Sequence, residues 1–165
     1  FRNHHLLSSV ESNFFYLAEF NDSVIDIREQ FPLFPLRLTQ QIANHLHFQH
    51  PMVRGVRGVP VEVLNVMTTD FLLTLRTPEG GLRYKAVAVK QNESIPEREA
   101  QKLEIERMFW QLIDVEFQIY VGSELNNVVG KNICWVTSVL RDGSVFYDKY
   151  PLDKILWKLK PDVYP

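Results

Sequence analysis

The spacing of apolar residues near the start of the chain predicts a helix, then a strand, then a second helix. In SSVESNFFYLAEF, apolar residues from Val10 to Ala18 recur every three or four positions, which is the helical period. Ser8 and Glu11 have capping-box spacing at its start. The alternating SVIDIREQF is typical of a strand. LTQQIANHLHF predicts a short helix capped by Thr39.

Two apolar strands follow, and each keeps one charge. The first is predicted from Leu64 to Arg76 and carries Asp70 within VMTTDFLLTL. TPEGG indicates a turn, and YKAVAVKQ ends the second strand, predicted from Leu82 to Lys90. We expect these strands to form an antiparallel hairpin.

The second half of the chain predicts a long helix, a strand and a further helix. Ser94 and Glu97 have capping-box spacing at the start of SIPEREAQKLEIERMFWQLI. The predicted apolar stripe of this helix is Ile105, Met108, Phe109 and Leu112. VEFQIYV then predicts a strand and NVVGKNICWVTSV a helix, and we expect Cys134 and Trp135 to be core residues. The order predicts an α/β fold with a mixed central sheet flanked by helices.

Composition narrows the class of protein. The 165 residues fit one domain, and 45% hydrophobic and 12% aromatic residues argue against disorder. A net charge of −2 argues against a protein that binds nucleic acid over its whole surface, although a local basic groove stays compatible with it. The single cysteine excludes an internal disulfide and favours an intracellular compartment.

The ends of the sequence and its hydropathy add two expectations. No apolar run approaches the roughly 20 residues that span a bilayer, and no signal peptide is visible. The chain begins at Phe1 and ends on KPDVYP, so we expect it to be a fragment or a trimmed chain.

The charged pair in the hairpin is the candidate chemistry. Strand alternation points position 88 and Lys90 the same way, and Asp70 can meet them across the hairpin. A carboxylate is a hard oxygen ligand for Mg²⁺, and a lysine can orient water or neutralise charge on a phosphate. Such a pair is compatible with a metal-dependent nuclease that has a second carboxylate, but an isolated Asp and Lys more often form an ordinary ion pair.

Seven sequence blocks carry a resemblance to a known family. They are HHLLSSVE, VIDIREQFPL, HPMVRG, MTTDFL, AVAVK, KLEIER and NICW, in this order from Arg2 to Val139. The chain resembles the TnsA family, the endonuclease subunits of two-part cut-and-paste transposases. The resemblance implies a restriction-endonuclease-like fold and hydrolysis of DNA that depends on Mg²⁺, with Mn²⁺ able to substitute.

The resemblance also assigns roles to residues. It places catalysis on Glu11, Asp70 and Lys90. The implied metal ligands are Glu11, Asp70, the carbonyl of Val89, and Glu106. The family's polar residue two positions before the lysine is Ala88 here, which is a departure. For Arg54 and Arg57, in a glycine-rich loop, we weigh contact with DNA phosphates against a solvated loop.

At the level of the whole protein, the resemblance implies cutting of the 5′ ends of a transposon in the bacterial cytoplasm. The implied partners are DNA, the transposase TnsB, which handles the 3′ ends, and the ATP-dependent regulator TnsC. Residues 1–140 would form the catalytic domain, and residues 141–165 would begin a partner-binding region. The alternative function is a non-catalytic assembly subunit that bridges transposase and regulator, and Ala88 keeps it open.

Each candidate carboxylate also has an ordinary structural explanation. The capping box alone accounts for Glu11, and Glu106 is more often a solvated helix residue or an ion-pair partner. His45, His47 and His50 have spacing that suggests zinc, but no cysteines or second ligand cluster accompany them.

Overall fold

The computed structural model describes residues 4–53 and 63–141. Helices and strands alternate through these residues in the order helix, strand, helix, strand, strand, helix, strand, helix. They are α1 (Ser9–Glu19), β1 (Val24–Pro32), α2 (Leu36–His45), β2 (Thr68–Arg76), β3 (Leu82–Lys90), α3 (Glu97–Leu112), β4 (Glu116–Val121) and α4 (Glu124–Arg141). Within the described ranges, no helix is both long enough and apolar enough to cross a membrane.

The strands form one mixed sheet in the order β1-β2-β3-β4. β2 is antiparallel to both β1 and β3, and β4 is parallel to β3. The parallel pair needs a crossover, which α3 supplies. The predicted hairpin and the predicted mixed α/β sheet are therefore confirmed.

Apolar side chains cover both faces of the sheet. On one face, α1 contributes Phe15 to a core cluster that includes Val87, and the Phe14 ring lies with its centroid 5.1 Å from that of Phe71. On the other face, α3 packs through Ile105 and Trp110 against Leu72 and its neighbours, with help from α2. A sheet buried on both faces explains why β2 and β3 read as near-continuous apolar runs.

Close contacts hold α1 against the end of the chain that the structure describes. The buried Asn13 donates from Nδ2 to Oδ1 of Asn127 on α4 at 2.8 Å. A Cβ at Gly130 would lie 3.0 Å from the Cα, Cβ and O atoms of Asn13, so a larger residue there would force the two helices to shift slightly apart. Val10 packs in the same way over Gly122. The backbone of α1, including Glu11, is thereby placed by β4 and α4.

Two predicted element starts are wrong. α2 begins at Leu36 after Pro35, so Thr39 lies inside the helix, where its hydroxyl donates to the Leu36 carbonyl at 2.9 Å. β2 begins at Thr68, whereas Leu64 forms only an isolated bridge with Met52. The helix therefore begins before its predicted cap, whereas the strand begins after its predicted start.

The second predicted capping box and part of the predicted core are also wrong. Pro96 occupies the cap position of α3, so Ser94 caps nothing there. Leu112 is 61% exposed because the buried face of α3 runs through Leu103, Glu106 and Trp110 instead. Trp135 is 75% exposed.

Candidate active site

Asp70 lies where β2 and β3 separate. The ladder between these strands ends at the pair Phe71 and Val87. Beyond it, Oδ2 of Asp70 accepts a hydrogen bond from the backbone N–H of Val89 at 2.7 Å. The carboxylate thus replaces a strand carbonyl as the acceptor for β3, which fixes the side chain on a rigid, core-packed element.

On the neighbouring strand β1, the buried side chains pass from one face of the sheet to the other beside Asp70. Ile27 on β1 packs in the cluster beneath α1, whereas Phe31 packs against Trp110 of α3 with ring centroids 6.0 Å apart. Between them, Gln30 has φ of 48°, in the left-handed region that side chains rarely adopt. Its Nε2 donates to Oδ1 of Asp70 at 3.4 Å. This reversal turns the end of the sheet toward α3.

Glu106 faces Asp70 from α3, and it is buried rather than solvated. Glu106 is only 6% exposed, so the prediction that it is a solvated helix residue is wrong. Thr69 donates its hydroxyl proton to Oε1 of Glu106, and Thr69 Oγ1 accepts from the indole Nε1 of Trp110 at 2.8 Å. The three side chains form one buried hydrogen-bonded chain from helix to strand.

Both carboxyl groups bind protons more tightly than usual. Burial raises the pKa of Glu106 to about 8, with the charge of Asp70 adding to the shift and Thr69 and Lys90 opposing it. Burial is also the main cause that raises the pKa of Asp70, against the lowering effect of the Val89 N–H. Two desolvated carboxyl groups in one site favour either a shared proton or a bound cation.

Lys90, the last residue of β3, brings an ammonium group to the same place. Its Nζ lies 3.7 Å from Oε2 of Glu99, and Oε1 of Glu99 accepts from Nζ of Lys102 at 2.7 Å. All of these side chains line one cleft of about 180 Å³ together with Asp70 and Glu106.

Glu11 lies close to this cleft but serves its own helix. Its Oε2 accepts from the backbone N–H of Leu7 at 3.0 Å, and its Oε1 accepts from the hydroxyl of Ser8 at 3.0 Å. Ser8 Oγ in turn accepts from the Glu11 N–H at 3.2 Å, so the first predicted capping box is confirmed. The charge of Glu11 raises the pKa of Asp70, although Glu11 is not among the residues that line the cleft.

Val89 and Ala88 are the remaining predicted site positions that the structure describes. Val89 uses its N–H for Asp70, and the role of its carbonyl stays a prediction. Ala88 is 1% exposed, and its methyl side chain has no polar atom that could bind a metal ion. Arg54 and Arg57 lie outside the described residues.

The segment that flanks those arginines does reach the cleft. Val53 donates its N–H to the carbonyl of Val63 at 2.8 Å, and Asn65 donates to the carbonyl of Pro51 at 2.9 Å. Pro51 and Asn65 both line the cleft. Buried His50 anchors this segment to α2, with Nε2 at 2.9 Å from Thr39 Oγ1.

The donor set fits a magnesium ion that also takes oxygens from outside the side chains. Over residues 4–53 and 63–141, no three His, Cys, Asp or Glu side chains are grouped so that they could hold a metal ion. Asp70 and Glu106 supply two hard oxygen donors in one cleft, and Mg²⁺ commonly uses one or two carboxylates plus water and substrate phosphate. Among the described residues, the histidines, whose spacing alone suggested a zinc site, form no group that could hold a metal ion.

Comparison with known proteins decides the family. Residues 21–122 match the family described as TnsA-like endonuclease N terminal. The chain belongs to this family. A curated relative, the Transposon Tn7 transposition protein TnsA of Escherichia coli, is 42% identical over 139 residues. The matched region is 84% of this chain and 47% of the relative, so the chain spans about half of that protein's length.

The range that matches the family contains the main residues of the cleft. It includes Asp70, Lys90 and Glu106, whereas Glu11 precedes it and α4 follows it. The mixed sheet with flanking helices is consistent with the restriction-endonuclease-like fold of such domains.

Sequence reasoning missed four residues of this TnsA-like site. They are Thr69, Glu99, Lys102 and Trp110. One signal was available: Glu106 and Trp110 are four residues apart and therefore share a helix face, so a buried tryptophan would carry the glutamate inward. The partners on β2 had no such local signal.

Proposed function

We propose that this chain is the nuclease domain of a transposition endonuclease that hydrolyses DNA phosphodiesters with Mg²⁺. One observation carries the proposal: the buried carboxyl group of Glu106 and the partly buried one of Asp70, both with raised pKa values, share a cleft with Lys90. Burying two like-charged carboxylates is costly unless a cation neutralises them, so such a pair is typical of a functional site.

In this proposal Asp70 and Glu106 hold the ion, and the Val89 carbonyl and Glu11 are the further candidate ligands. When bound, Mg²⁺ would lower the pKa of a water molecule and offset charge on the phosphate. The Val89 N–H keeps Asp70 in place at 2.7 Å, and Thr69 with Trp110 orients Glu106. A ligand that cannot swing away needs no reordering when the ion binds.

Lys90 would act on the substrate rather than on the ion. Its ammonium group has three donors, and its contact with Glu99 at 3.7 Å is longer than a hydrogen bond. The free donors could neutralise a phosphate oxygen or orient the attacking water.

The substrate and partners follow from the family and extend the proposal. The substrate would be DNA at the 5′ ends of a transposon, with TnsB cutting the 3′ ends and TnsC regulating both in the bacterial cytoplasm. Arg54 and Arg57 would contact phosphates from the segment whose ends adjoin the cleft. Residues 141–165 would begin a partner-binding region.

Replacing Asp70 tests the nuclease. Asp70→Asn keeps an oxygen that accepts from the Val89 N–H, whereas alanine would orphan that donor. We expect 5′ nicking of a labelled transposon-end duplex, with Mg²⁺ and the partner transposase supplied, to fall more than about 100-fold. The matched control is Asp26→Asn, because Asp26 pairs only locally with Arg28 on β1. Nicking retained by Asp70→Asn at an unchanged melting temperature would remove Asp70 from the mechanism.

Two observations favour a second candidate, a non-catalytic assembly subunit. Both carboxylate oxygens of Glu11 are used in its helix cap, and Ala88 supplies no ligand. Calorimetric titration with Mn²⁺ separates the candidates. A nuclease binds Mn²⁺, and both Glu106→Gln and Glu11→Gln weaken the binding; an assembly subunit gives no heat from this cleft.

A further inference from the structure

Glu99 divides its carboxylate between two ammonium groups of the cleft. Oε1 lies 2.7 Å from Nζ of Lys102, and Oε2 lies 3.7 Å from Nζ of Lys90. Lys102 is one turn further along α3, whereas Lys90 ends β3, so Glu99 links the helix to the strand. All three residues line the cleft that holds Asp70 and Glu106.

We propose that Glu99 is a positioning residue, which holds Lys90 beside the Asp70–Glu106 cleft during nicking and gives up Lys102 to a DNA phosphate. The proposal rests on the nuclease function proposed above. It adds a residue that acts through Lys90, and it assigns Lys102 to contact with the phosphate backbone.

A second ion pair on the same helix shows what an ordinary surface pair looks like. Glu104 gives both oxygens to one partner, Arg107, at 2.6 and 2.8 Å. That pair lies outside the lining of the Asp70–Glu106 cleft, and Arg107 lines a different cavity. Glu99 has the same i,i+3 partner spacing but also reaches a lysine on another element. A local pair that only stabilises α3 would not need the second contact.

The exposure of the Glu99 side chain suits a carboxylate that can release Lys102. The Glu99 side chain is 42% exposed, so water screens its attraction to both lysines. A DNA phosphate carries a permanent negative charge, and its binding releases counterions from the DNA. Each ammonium group still has N–H donors that can bond to a phosphate oxygen. The hydrogen bond from Lys102 is the main cause that lowers the pKa of Glu99, so Glu99 stays charged while it holds the lysines.

The helix dipole offers a competing explanation for an acidic residue at this position. Glu97 and Glu99 both lie in the first turn of α3, where negative charge is favourable. Glu97 is not among the described residues that line the cleft. Glu97→Gln therefore removes one favourable charge from the first turn of α3 and leaves the contact with Lys90 in place. Glu104→Gln serves as the control for loss of an i,i+3 pair.

Lysine reactivity tests the contact without any need for cleavage. Reductive methylation needs access to the amine nitrogen, which contact with a carboxylate restricts. In Glu99→Gln we expect Lys90 and Lys102 to be methylated about threefold faster, read by peptide mass mapping. Lys85, paired with Glu116, is the internal reference. Unchanged rates, or equal gains in Glu97→Gln or Glu104→Gln, would overturn the proposal.

Nicking kinetics test the consequence. With the partner transposase and Mg²⁺ supplied, Glu99→Gln should lower kcat about tenfold, since Lys90 loses its placement, while KM falls because a negative charge leaves the DNA site. In a Lys90→Met background the same change should not lower kcat further, because the effect of Glu99 on kcat acts through Lys90. An unchanged kcat, or the same loss in both backgrounds, contradicts the proposal. If the wild-type protein itself fails to nick, the nuclease function fails, while the methylation rates still decide the role of Glu99.

Discussion

The buried proton on Glu106 makes a quantitative prediction about stability and pH. The residue is 6% exposed, and its burial raises the pKa to about 8 from an ordinary value of 4.5. The folded protein therefore holds a proton that the unfolded chain releases over this interval. Glu106→Gln removes the titration and keeps a carbonyl oxygen that can accept from the Thr69 hydroxyl.

Proton linkage gives the sign and size of the change in the free energy of unfolding with pH. Below about pH 4.5 the group is protonated in both states and does not change the free energy of unfolding. From there to about pH 8, each unit of pH lowers the free energy of unfolding by about 1.4 kcal/mol, which amounts to about 5 kcal/mol as an upper bound. Above about pH 8 both states are ionised and the loss is complete. The raised pKa of Asp70 acts in the same direction.

Urea unfolding of both proteins at about pH 5 and about pH 8 measures this effect. We expect nearly equal free energies of unfolding at the lower pH and a Glu106→Gln protein that is more stable by several kcal/mol at the higher pH. Glu97→Gln neutralises an exposed carboxylate of the same helix and is the control. At the higher pH, Mg²⁺ should stabilise the wild-type protein more than Glu106→Gln. If the free energies of unfolding of wild type and Glu106→Gln depend on pH in the same way, Glu106 ionises without penalty and the prediction is wrong.

Three further predictions concern the parts that support the cleft. Gly130→Ala puts a Cβ 3.0 Å from backbone atoms of Asn13, so we expect a loss of about 1–3 kcal/mol by urea unfolding and weaker Mn²⁺ binding, whereas an unchanged protein would mean that α4 adjusts freely. Trp110→Phe removes the donor to Thr69 and should cost about 1–3 kcal/mol; a neutral change would show that water replaces the indole. Glu11→Gln should preserve the cap and melting temperature while weakening Mn²⁺ binding, whereas Glu11→Ala should also lose about 1 kcal/mol. Equal Mn²⁺ affinity in wild type and Glu11→Gln would limit Glu11 to its cap.

Local patterns were sufficient for the elements and for part of the site. The hairpin, the first capping box and the position of Asp70 all depend on residues close in sequence, whose side-chain directions follow from the period of a helix or strand. The same period misplaced Leu112 and Trp135, because it marks an apolar face without saying what will cover it. The covering elements come from distant parts of the chain.

The local sequence therefore places Asp70 on β2 and Lys90 on β3, whereas the packing of distant elements sets which groups these side chains contact. Thr69 and Trp110 are 41 residues apart, and only the crossover that lays α3 on the sheet joins them and buries Glu106 beside Asp70. The placement of Glu99 between two lysines arises in the same way. Burial raises a pKa through the whole surroundings of a group, and those surroundings exist only once the helices have packed.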